Sequence, residues 1–402
     1  MILLFPIPLF LLVYLVRKKR TFFAAGFLWG FVVFALHSLW LLQLLFEKSN
    51  ASFLLSFFIY LCIVLYFSLI SGIWFLVTGT CAQFFNTFFK KVSIFFSFIV
   101  IYFFFINNYA LWFLCNIKGY PFLNPILPLI RYKYFLVLLT VLGFGKSNIQ
   151  TNIKFQKTSF KNNIMYEVML PTGEKGAFIA PNELQPDMHG VAIYKKLKNL
   201  NLEKLSSKYK FVCVFMPETS FLSSDLEKAG WLSLWNKALP AKAHFIFGGV
   251  REEEGRCYQT VYWIHEGRIM LNYDKKHCVD FVENTNGIWK QFKWARDLFL
   301  RDKTAFCVGN KDIKHKLEIT PELNLNPYIC SEFFVCKDVN HLVQRHSLQV
   351  LFLNDTWFNS YFINLLNRYM EMKVFFTGES VLCVSYQDGL RYLSKSLFSD
   401  TF

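Results

Sequence analysis

Residues 209–219 read Tyr-Lys-Phe-Val-Cys-Val-Phe-Met-Pro-Glu-Thr, an apolar run followed directly by a proline and a carboxylate. Apolar side chains alternate with a period of two from Tyr209 to Met216, and this pattern predicts a β-strand. Glu218 is then expected just past the end of that strand. A carboxylate in this place lies at the edge of a sheet, where active sites commonly form.

The same alternation recurs further along the chain, and it is interspersed with helical spacing of apolar residues. Strands are predicted at 244–250, 258–264, 349–353 and 381–386, with a hairpin turn at His265–Arg268. Helices are predicted at 189–206, 221–238 and 361–374. Strands that alternate with helices indicate an α/β domain with one large core.

The first 150 residues have a different character. The chain is 54% hydrophobic, which is too high for a soluble protein of this length. Most of the excess lies in apolar runs at 2–16, 21–46, 51–78 and 92–115, with a weaker run at 134–145. Runs of about 20 apolar residues span a bilayer. The sequence therefore predicts an α-helical transmembrane region at 1–146, a linker or domain entry at 147–175, and the α/β domain at 176–402.

The charges support a membrane location for the first part of the chain. Of the formal net charge of +15, most falls within residues 1–150, which hold eleven Lys or Arg and the single acid Glu47. The bases form clusters at 17–20, 90–91 and 131–133, between the apolar runs. This placement favours cytoplasmic anchoring at the membrane edge and argues against nucleic-acid binding. Hydropathy leaves open on which side the domain lies. A full crossing by 134–145 places it in the cytoplasm, whereas a re-entrant segment there, or two passes within 120–145, places it outside.

Two further segments carry residues suited to thiol chemistry. Cys330 lies in Tyr328–Glu332, after a short apolar approach and before a polar turn, and Lys275 lies in Tyr273–His277, after the second strand of the hairpin. A thiol becomes a nucleophile when a base or a nearby positive charge deprotonates it, and an ammonium also stabilises an oxyanion. Each residue taken singly is weak evidence, since a lone cysteine is more often part of a core. The ten cysteines show neither a CxxC pair nor the spacing of a disulfide framework or zinc site.

Taken in order, these segments resemble motifs of apolipoprotein N-acyltransferase, the membrane-bound branch of the nitrilase (carbon–nitrogen hydrolase) superfamily. Residues 215–219 are similar to its apolar-Pro-Glu-Thr motif, 273–277 to Tyr-x-Lys-x-His, and 329–332 to Ile-Cys-Tyr-Glu. The resemblance implies a transmembrane bundle followed by a nitrilase-like αββα sandwich. It implies that Glu218 is the general base, Lys275 the catalytic lysine and Cys330 the nucleophile.

Supporting residues follow from the same resemblance. Phe281-Val282-Glu283 looks like the family's Phe-Gly-Glu, which suggests Glu283 as a second carboxylate, and Glu332 matches the Glu of the Cys motif. Residues 354–358 are close to Asn-Asp-Ala-Trp-Phe, whose Trp, here Trp357, lies near the site. The chain departs from the pattern at Ser331, where the family has Tyr.

The resemblance also implies a function. A fatty acyl group passes from a phospholipid to Cys330 as a thioester, and then to the α-amino group of a diacylglyceryl-cysteine lipoprotein. No metal or cofactor is expected. The protein is expected to be a multi-pass protein of the bacterial cytoplasmic (inner) membrane, with its catalytic domain on the outer, periplasmic face. Two other classes stay open: a membrane-tethered nitrilase-type amidase and a catalytically silent lipid- or lipoprotein-binding homologue.

Overall fold

The computed structural model describes two compact units of the chain. They consist of Met1–Leu138 with Trp289–Arg301, and of Leu139–Ile288 with Asp302–Phe402. The residues that the structure describes are 22–37, 39, 42, 45–46, 52–84, 153–221, 226, 230–278, 306–310, 316–330, 332–335, 347–357, 363, 366–367, 370–371, 374 and 380–394.

The first unit contains two apolar helices, α1 (Phe22–His37) and α2 (Phe53–Phe84), which pack against each other. Two glycines, one helical turn apart, allow the close approach. A Cβ at Gly26 would lie 2.5 Å from Phe75 Cβ, and one at Gly30 would lie 2.7 Å from Ser71 Cβ. Small residues at this spacing form one face of a helix and let two backbones come together, as in membrane helix pairs.

Helices α1 and α2 fall on two of the predicted apolar runs, 21–46 and 51–78. Among the described residues, one helical stretch, the 21 residues Phe53–Ile73, is long and apolar enough to cross a bilayer, and Phe22–Val32 is a shorter apolar helix. Large apolar side chains point outward, for example Leu54, which is 77% exposed. The other predicted runs, at 2–16, 92–115 and 134–145, lie outside the described residues. A bundle of several spans therefore stays a prediction.

The larger sheet of the second unit has seven strands in sequence order. The three central strands β3, β4 and β5 run parallel, and the flanking strands pair antiparallel. Residues 147–175, expected as a linker, contain β1 and β2, so this segment contributes strands to the sheet. The strands are β1 (Lys154–Phe160), β2 (Asn163–Met169), β3 (Lys175–Ile179), β4 (Val212–Phe221), β5 (Ala243–Glu253), β6 (Arg256–His265) and β7 (Arg268–Asp274).

A second sheet of five strands has the order β12-β11-β10-β9-β8. It repeats the plan of the first, because β9, β10 and β11 are parallel and the two outer strands are antiparallel. Its strands are β8 (Leu317–Thr320), β9 (Leu323–Ile329), β10 (Ser347–Phe352), β11 (Val381–Ser385) and β12 (Gly389–Leu393).

The helices of the second unit are short: α3 (Gly190–Asn199), α4 (Leu202–Lys208), α5 (Trp231–Asn236) and α6 (Glu332–Val335). They correct two sequence predictions. The helix expected at 189–206 is divided, because Asn201 adopts a left-handed conformation with φ 51° and starts α4 anew. The helix expected at 221–238 is α-helical only over α5 among its described residues, since Phe221 is the last residue of β4 and Gly230, with φ 69°, precedes α5.

The two sheets pack face to face, and β4 is buried on both sides. Phe215 belongs to the apolar core shared with the second sheet, where its ring lies 6.5 Å from that of Phe352. Met216 belongs to the opposite core, which includes residues of α3, α4 and α5 such as the fully buried Trp235. The described residues between 363 and 374 are helical and contribute Leu366, Met370 and Val374 to the inter-sheet core. The α/β prediction is thereby confirmed.

The predicted hairpin turn is also confirmed. His265 pairs with Arg268 across a two-residue turn, in which Glu266 and Gly267 have φ 49° and 71°. Positive φ at both central residues matches the right-handed twist of the flanking strands. The turn directs β7 back along the sheet, so that its carboxyl end comes to the same edge as the carboxyl ends of β4 and β5.

Candidate active site

Cys330 occupies a tight turn between a strand and a helix. It directly follows β9, and α6 begins two residues later. Its φ is 49°, a left-handed conformation that costs an L-residue roughly 1–2 kcal/mol. Its backbone N donates to Phe352 O at 2.8 Å, which fixes the turn to the end of β10. The structure therefore confirms the expected turn and presents the thiol from a buried position, 8% exposed.

Glu218 lies inside a strand, and its expected position just after the strand is wrong. β4 continues to Phe221, but its register with β5 shifts between Met216 and Phe221. Pro217 lacks an N–H for the ladder, and Thr219 has φ 55°. The resulting bulge presses against Gly248, where a Cβ would lie 2.5 Å from Glu218 Cα. A bulge of this kind redirects a side chain without ending the strand.

Lys275 follows β7, as the sequence predicted, and it is fully buried. Its Nζ lies 3.5 Å from Glu218 Oε1. Its backbone is held on both sides, by a bond from its N to Gln259 O and one from Gly309 N to its O, both 2.8 Å. A buried ammonium is tolerated only with a charged or strongly polar partner, and Glu218 is such a partner here.

The second oxygen of Glu218 contacts the other sheet. Asn354 N, two residues past the end of β10, donates to Glu218 Oε2 at 3.1 Å. One carboxylate oxygen therefore faces the Lys275 ammonium, and the other accepts a backbone N–H. The same residue donates from Nδ2 to Thr219 Oγ1 at 2.8 Å.

Hydrogen bonds next to each member bring the three predicted catalytic residues into one site. Phe352 O, at the end of β10, accepts from Cys330 N, and Asn354 N, two residues later, donates to Glu218 Oε2. On the opposite side, Glu332, two residues after the cysteine, accepts from the backbone N of Lys276, the residue after Lys275. Glu218, Lys275 and Cys330 therefore come from both sheets, and hydrogen bonds of their neighbouring residues connect the strand ends that carry them.

Glu332, expected as a supporting residue, is fully buried and accepts three hydrogen bonds at this site. Its carboxylate accepts from Ile329 N at 2.9 Å, from Tyr273 OH at 3.0 Å and from Lys276 N. Burial raises the pKa of Glu332 to about 7, while these hydrogen bonds and the charge of Lys275 act in the opposite direction. Glu332 joins the turn that carries the thiol to the strand end that carries the lysine.

Of the other two supporting residues, the structure describes only the backbone of Trp357. Glu283 lies outside the described residues. Trp357 ends a 3-10 turn, Asp355–Trp357, which starts directly after Asn354. It therefore follows by three residues the amide that contacts Glu218. Its side chain is outside the part of the chain that the structure describes.

Three residues of the site escaped prediction as functional groups: Asn354, Asp355 and Tyr386. Asn354 and Asp355 are two polar residues directly after the apolar strand 349–353, and this position could have indicated a role in the site. Tyr386 carried no such signal. It follows β11, donates from its hydroxyl to Glu218 O at 2.6 Å, and donates from its N to Asp355 Oδ1 at 2.9 Å.

This arrangement is suited to nucleophilic catalysis by a thiol. A carboxylate beside the nucleophile takes its proton, and an ammonium at the same place stabilises the negative oxygen of a tetrahedral intermediate. In the described ranges no three His, Cys, Asp or Glu residues are grouped as ligands of a metal ion.

No family model and no curated protein matches the chain. Among solved structures it is similar to a mutant of the Nesterenkonia AN1 amidase from the nitrilase superfamily, with 12% identity, a TM-score of 0.36 and coverage of 56% of this chain and 82% of that one. It is also similar to a CN-hydrolase superfamily protein from Xanthomonas campestris, with 14% identity, a TM-score of 0.35 and coverage of 55% and 91%.

A third similarity is to the glutamine-dependent NAD+ synthetase of Acinetobacter baumannii, with 12% identity and a TM-score of 0.38. The match covers 53% of this chain and only 39% of that one. All three TM-scores are below 0.5, and the function proposed below does not rest on these similarities.

Proposed function

We propose that this protein is a cysteine-dependent acyltransferase that moves a fatty acyl group from a phospholipid to the N-terminal amine of a diacylglyceryl-cysteine lipoprotein. One observation carries the proposal: hydrogen bonds through Asn354 and Glu332 link the buried Glu218–Lys275 pair to the segments next to Cys330, which has a left-handed conformation. The sequence motifs around all three residues support the same assignment.

The first half of the reaction forms a thioester. Glu218 takes the proton of the Cys330 thiol, and the sulfur attacks the carbonyl carbon of the sn-1 acyl ester. Lys275 stabilises the oxyanion of the tetrahedral intermediate. When the C–O bond to the glycerol breaks, the leaving oxygen takes the proton from Glu218, and a lysophospholipid departs.

The second half transfers the acyl group to nitrogen. The free α-amine of the acceptor attacks the thioester carbon, and Glu218 accepts a proton from that nitrogen. The C–S bond breaks, the amide is released, and the thiolate of Cys330 regains the proton. Donor and acceptor use the same nucleophile in turn, so ping-pong kinetics are expected.

The apolar helices support the choice of a lipid donor. α2 holds a stretch long enough to cross a bilayer, and exposed apolar side chains such as Leu54 and Phe58 suit contact with acyl chains. We propose a multi-pass location in the bacterial cytoplasmic membrane with the catalytic domain on the outer face. The motif resemblance, and not the charge pattern, supports that side.

The test is the intact mass of the Cys330 peptide after the purified full chain is incubated with phospholipid in detergent micelles. We expect an acyl increment that hydroxylamine removes and that is absent in Glu218→Gln and Lys275→Ala. Cys383, also buried and with its pKa raised by burial, is the internal control and is expected to stay unmodified.

The outcomes separate the alternatives. An acyl-enzyme that decays as fast in buffer as with an added diacylated lipopeptide would favour a membrane-tethered amidase, with water as the acceptor. An unmodified Cys330 would overturn the transferase proposal and favour a silent lipid- or lipoprotein-binding homologue.

A further inference from the structure

We propose that Tyr386 is a positioning residue for the general base: its hydroxyl holds the backbone of Glu218 in the conformation from which the carboxylate reaches the Cys330 thiol. This inference rests on the function proposed above. It adds a residue of the second sheet that acts on the reaction through Glu218.

The segment that carries the base does not hold its shape by sheet pairing alone. Met216 pairs with Phe247 and Phe221 with Gly249, so four residues of β4 span a single residue of β5. Within this bulge Thr219, a β-branched residue, has φ 55°. Such a conformation costs on the order of 1–3 kcal/mol and persists only where surrounding contacts impose it.

Tyr386 supplies one of those contacts at the base itself. Its hydroxyl donates to the carbonyl oxygen of Glu218 at 2.6 Å and lies 3.2 Å from Ser220 Oγ. The Ser220 hydroxyl in turn donates to Pro217 O at 2.7 Å. The phenol therefore contacts the bulge at two points, on either side of the left-handed Thr219.

The tyrosine is itself fixed to the second sheet. It directly follows β11, and its backbone N donates to Asp355 Oδ1 at 2.9 Å. Asp355 follows Asn354, whose backbone N donates to the Glu218 carboxylate. Two residues before Asn354, Phe352 O accepts from Cys330 N. The base is thus aligned by the sheet that presents the nucleophile. Tyr386→Phe removes the hydrogen bond to Glu218 O and leaves the bond from Cys330 N to Phe352 O in place.

The experiment measures acylation of the full chain in detergent with p-nitrophenyl butyrate, an activated acyl ester, in a stopped-flow instrument. Tyr386→Phe keeps the ring and removes the hydroxyl. We expect the first-order acylation constant to fall about 10-fold, with an unchanged half-saturating ester concentration, because a misplaced base slows the chemical step and not binding.

Tyr392→Phe is the matched control. Tyr392 lies in the same β11–β12 hairpin, and its hydroxyl donates to Ser380 Oγ at 3.0 Å. Its removal also deletes one tyrosine hydroxyl bond of the hairpin, but that bond does not involve the bulge. We expect the acylation constant of Tyr392→Phe to equal that of the wild type.

A double-mutant cycle with Glu218→Gln distinguishes positioning from a general structural role. If Tyr386 acts through the base, Tyr386→Phe has no further effect once Glu218 is replaced. The same fold-change in both backgrounds, or a wild-type constant in Tyr386→Phe, would overturn the positioning role alone. A wild type that shows no burst of nitrophenolate would refute the acyltransferase proposal, and the role of Tyr386 with it.

Discussion

The buried pair of Glu218 and Lys275 explains how two charges persist where water is excluded. Their side chains are 5% and 0% exposed, and either charge alone would be costly there. During the proposed reaction the proton of the thiol neutralises the carboxylate, while a negative charge appears on sulfur and then on the substrate oxygen. The ammonium of Lys275 keeps a negative neighbour throughout, so no step leaves a bare buried charge.

Glu332 gives the protein a measurable pH dependence of stability. Its folded pKa of about 7 lies above the ordinary value of 4.5, so the folded state binds the proton more tightly. The contribution to stability is complete below about pH 4.5 and is lost as the pH rises toward 7. We expect the free energy of unfolding to fall by about 3 kcal/mol across this window on account of Glu332.

The measurement is urea unfolding in detergent at pH 5 and pH 7. Glu332→Gln, which stays neutral, is expected to remove this pH dependence, whereas Glu203→Gln on the exposed face of α4 is expected to keep it. If the free energy of unfolding changes equally between pH 5 and pH 7 in the wild type and in Glu332→Gln, the carboxyl does not titrate in this range.

At the level of elements, the bulge in β4 depends on a glycine in the neighbouring strand. Gly248 leaves room for the displaced backbone, since a Cβ there would meet Glu218 Cα at 2.5 Å and Pro217 O at 2.7 Å. Both are backbone atoms, and they yield less readily than the end of a flexible side chain. A side chain at this position must push the base away from the thiol or flatten the bulge.

We therefore expect Gly248→Ala to lower the rate of Cys330 acylation by at least about 10-fold while the protein still folds. The rate is measured with the same activated ester and is normalised to folded protein. Gly173→Ala is the control: it lies in the β2–β3 turn with φ 84°, and a Cβ there meets nothing within 4 Å. That change should cost stability alone. Acylation at the wild-type rate in Gly248→Ala would show that the bulge tolerates the methyl group.

The sequence predicts the strands more accurately than the helices. It also identifies candidate site residues such as Glu218 more accurately than their position within an element. Period-two alternation located β5, β6, β10 and β11, because each has at least one continuously buried face. The helix expected at 221–238 starts too early, because Phe221 continues the strand, which local spacing does not reveal. Likewise Pro217 predicts the end of β4, whereas β4 continues through a bulge that contacts β5, Asn354 and Tyr386. Long-range contacts of this kind leave no mark in the local pattern.

For the molecule as a whole, the pair of helices in the first unit is the part that suits a bilayer. α1 and α2 meet through Gly26 and Gly30, and exposed apolar side chains such as Leu28, 63% exposed, remain on their other faces. In lipid, pairing two apolar helices gains little from the hydrophobic effect. Close packing through small residues must therefore supply the stabilisation of the pair.

We expect Gly26→Val to loosen this helix pair. The added side chain would start 2.5 Å from Phe75 Cβ and 2.7 Å from the backbone O of Ser71, and such overpacking typically costs about 1–3 kcal/mol. A lower Tm in detergent micelles, followed by tryptophan fluorescence, would show the effect. Leu28→Val, on the exposed face, is the control and should leave the Tm unchanged. Equal Tm values for the two variants would refute close packing at Gly26.

The division of the site between two sheets has a consequence for how activity is lost. Glu218 and Lys275 belong to the seven-stranded sheet, whereas Cys330 and Asn354 belong to the five-stranded one. The two sheets are joined by apolar packing and, at the site, by hydrogen bonds such as Asn354 N to Glu218 Oε2 and Tyr386 OH to Glu218 O. A slip of about one ångström between them leaves every strand intact and yet parts the thiol from its base. Under the proposed function, a loss of activity would therefore report a misalignment of the two sheets that leaves the secondary structure unchanged.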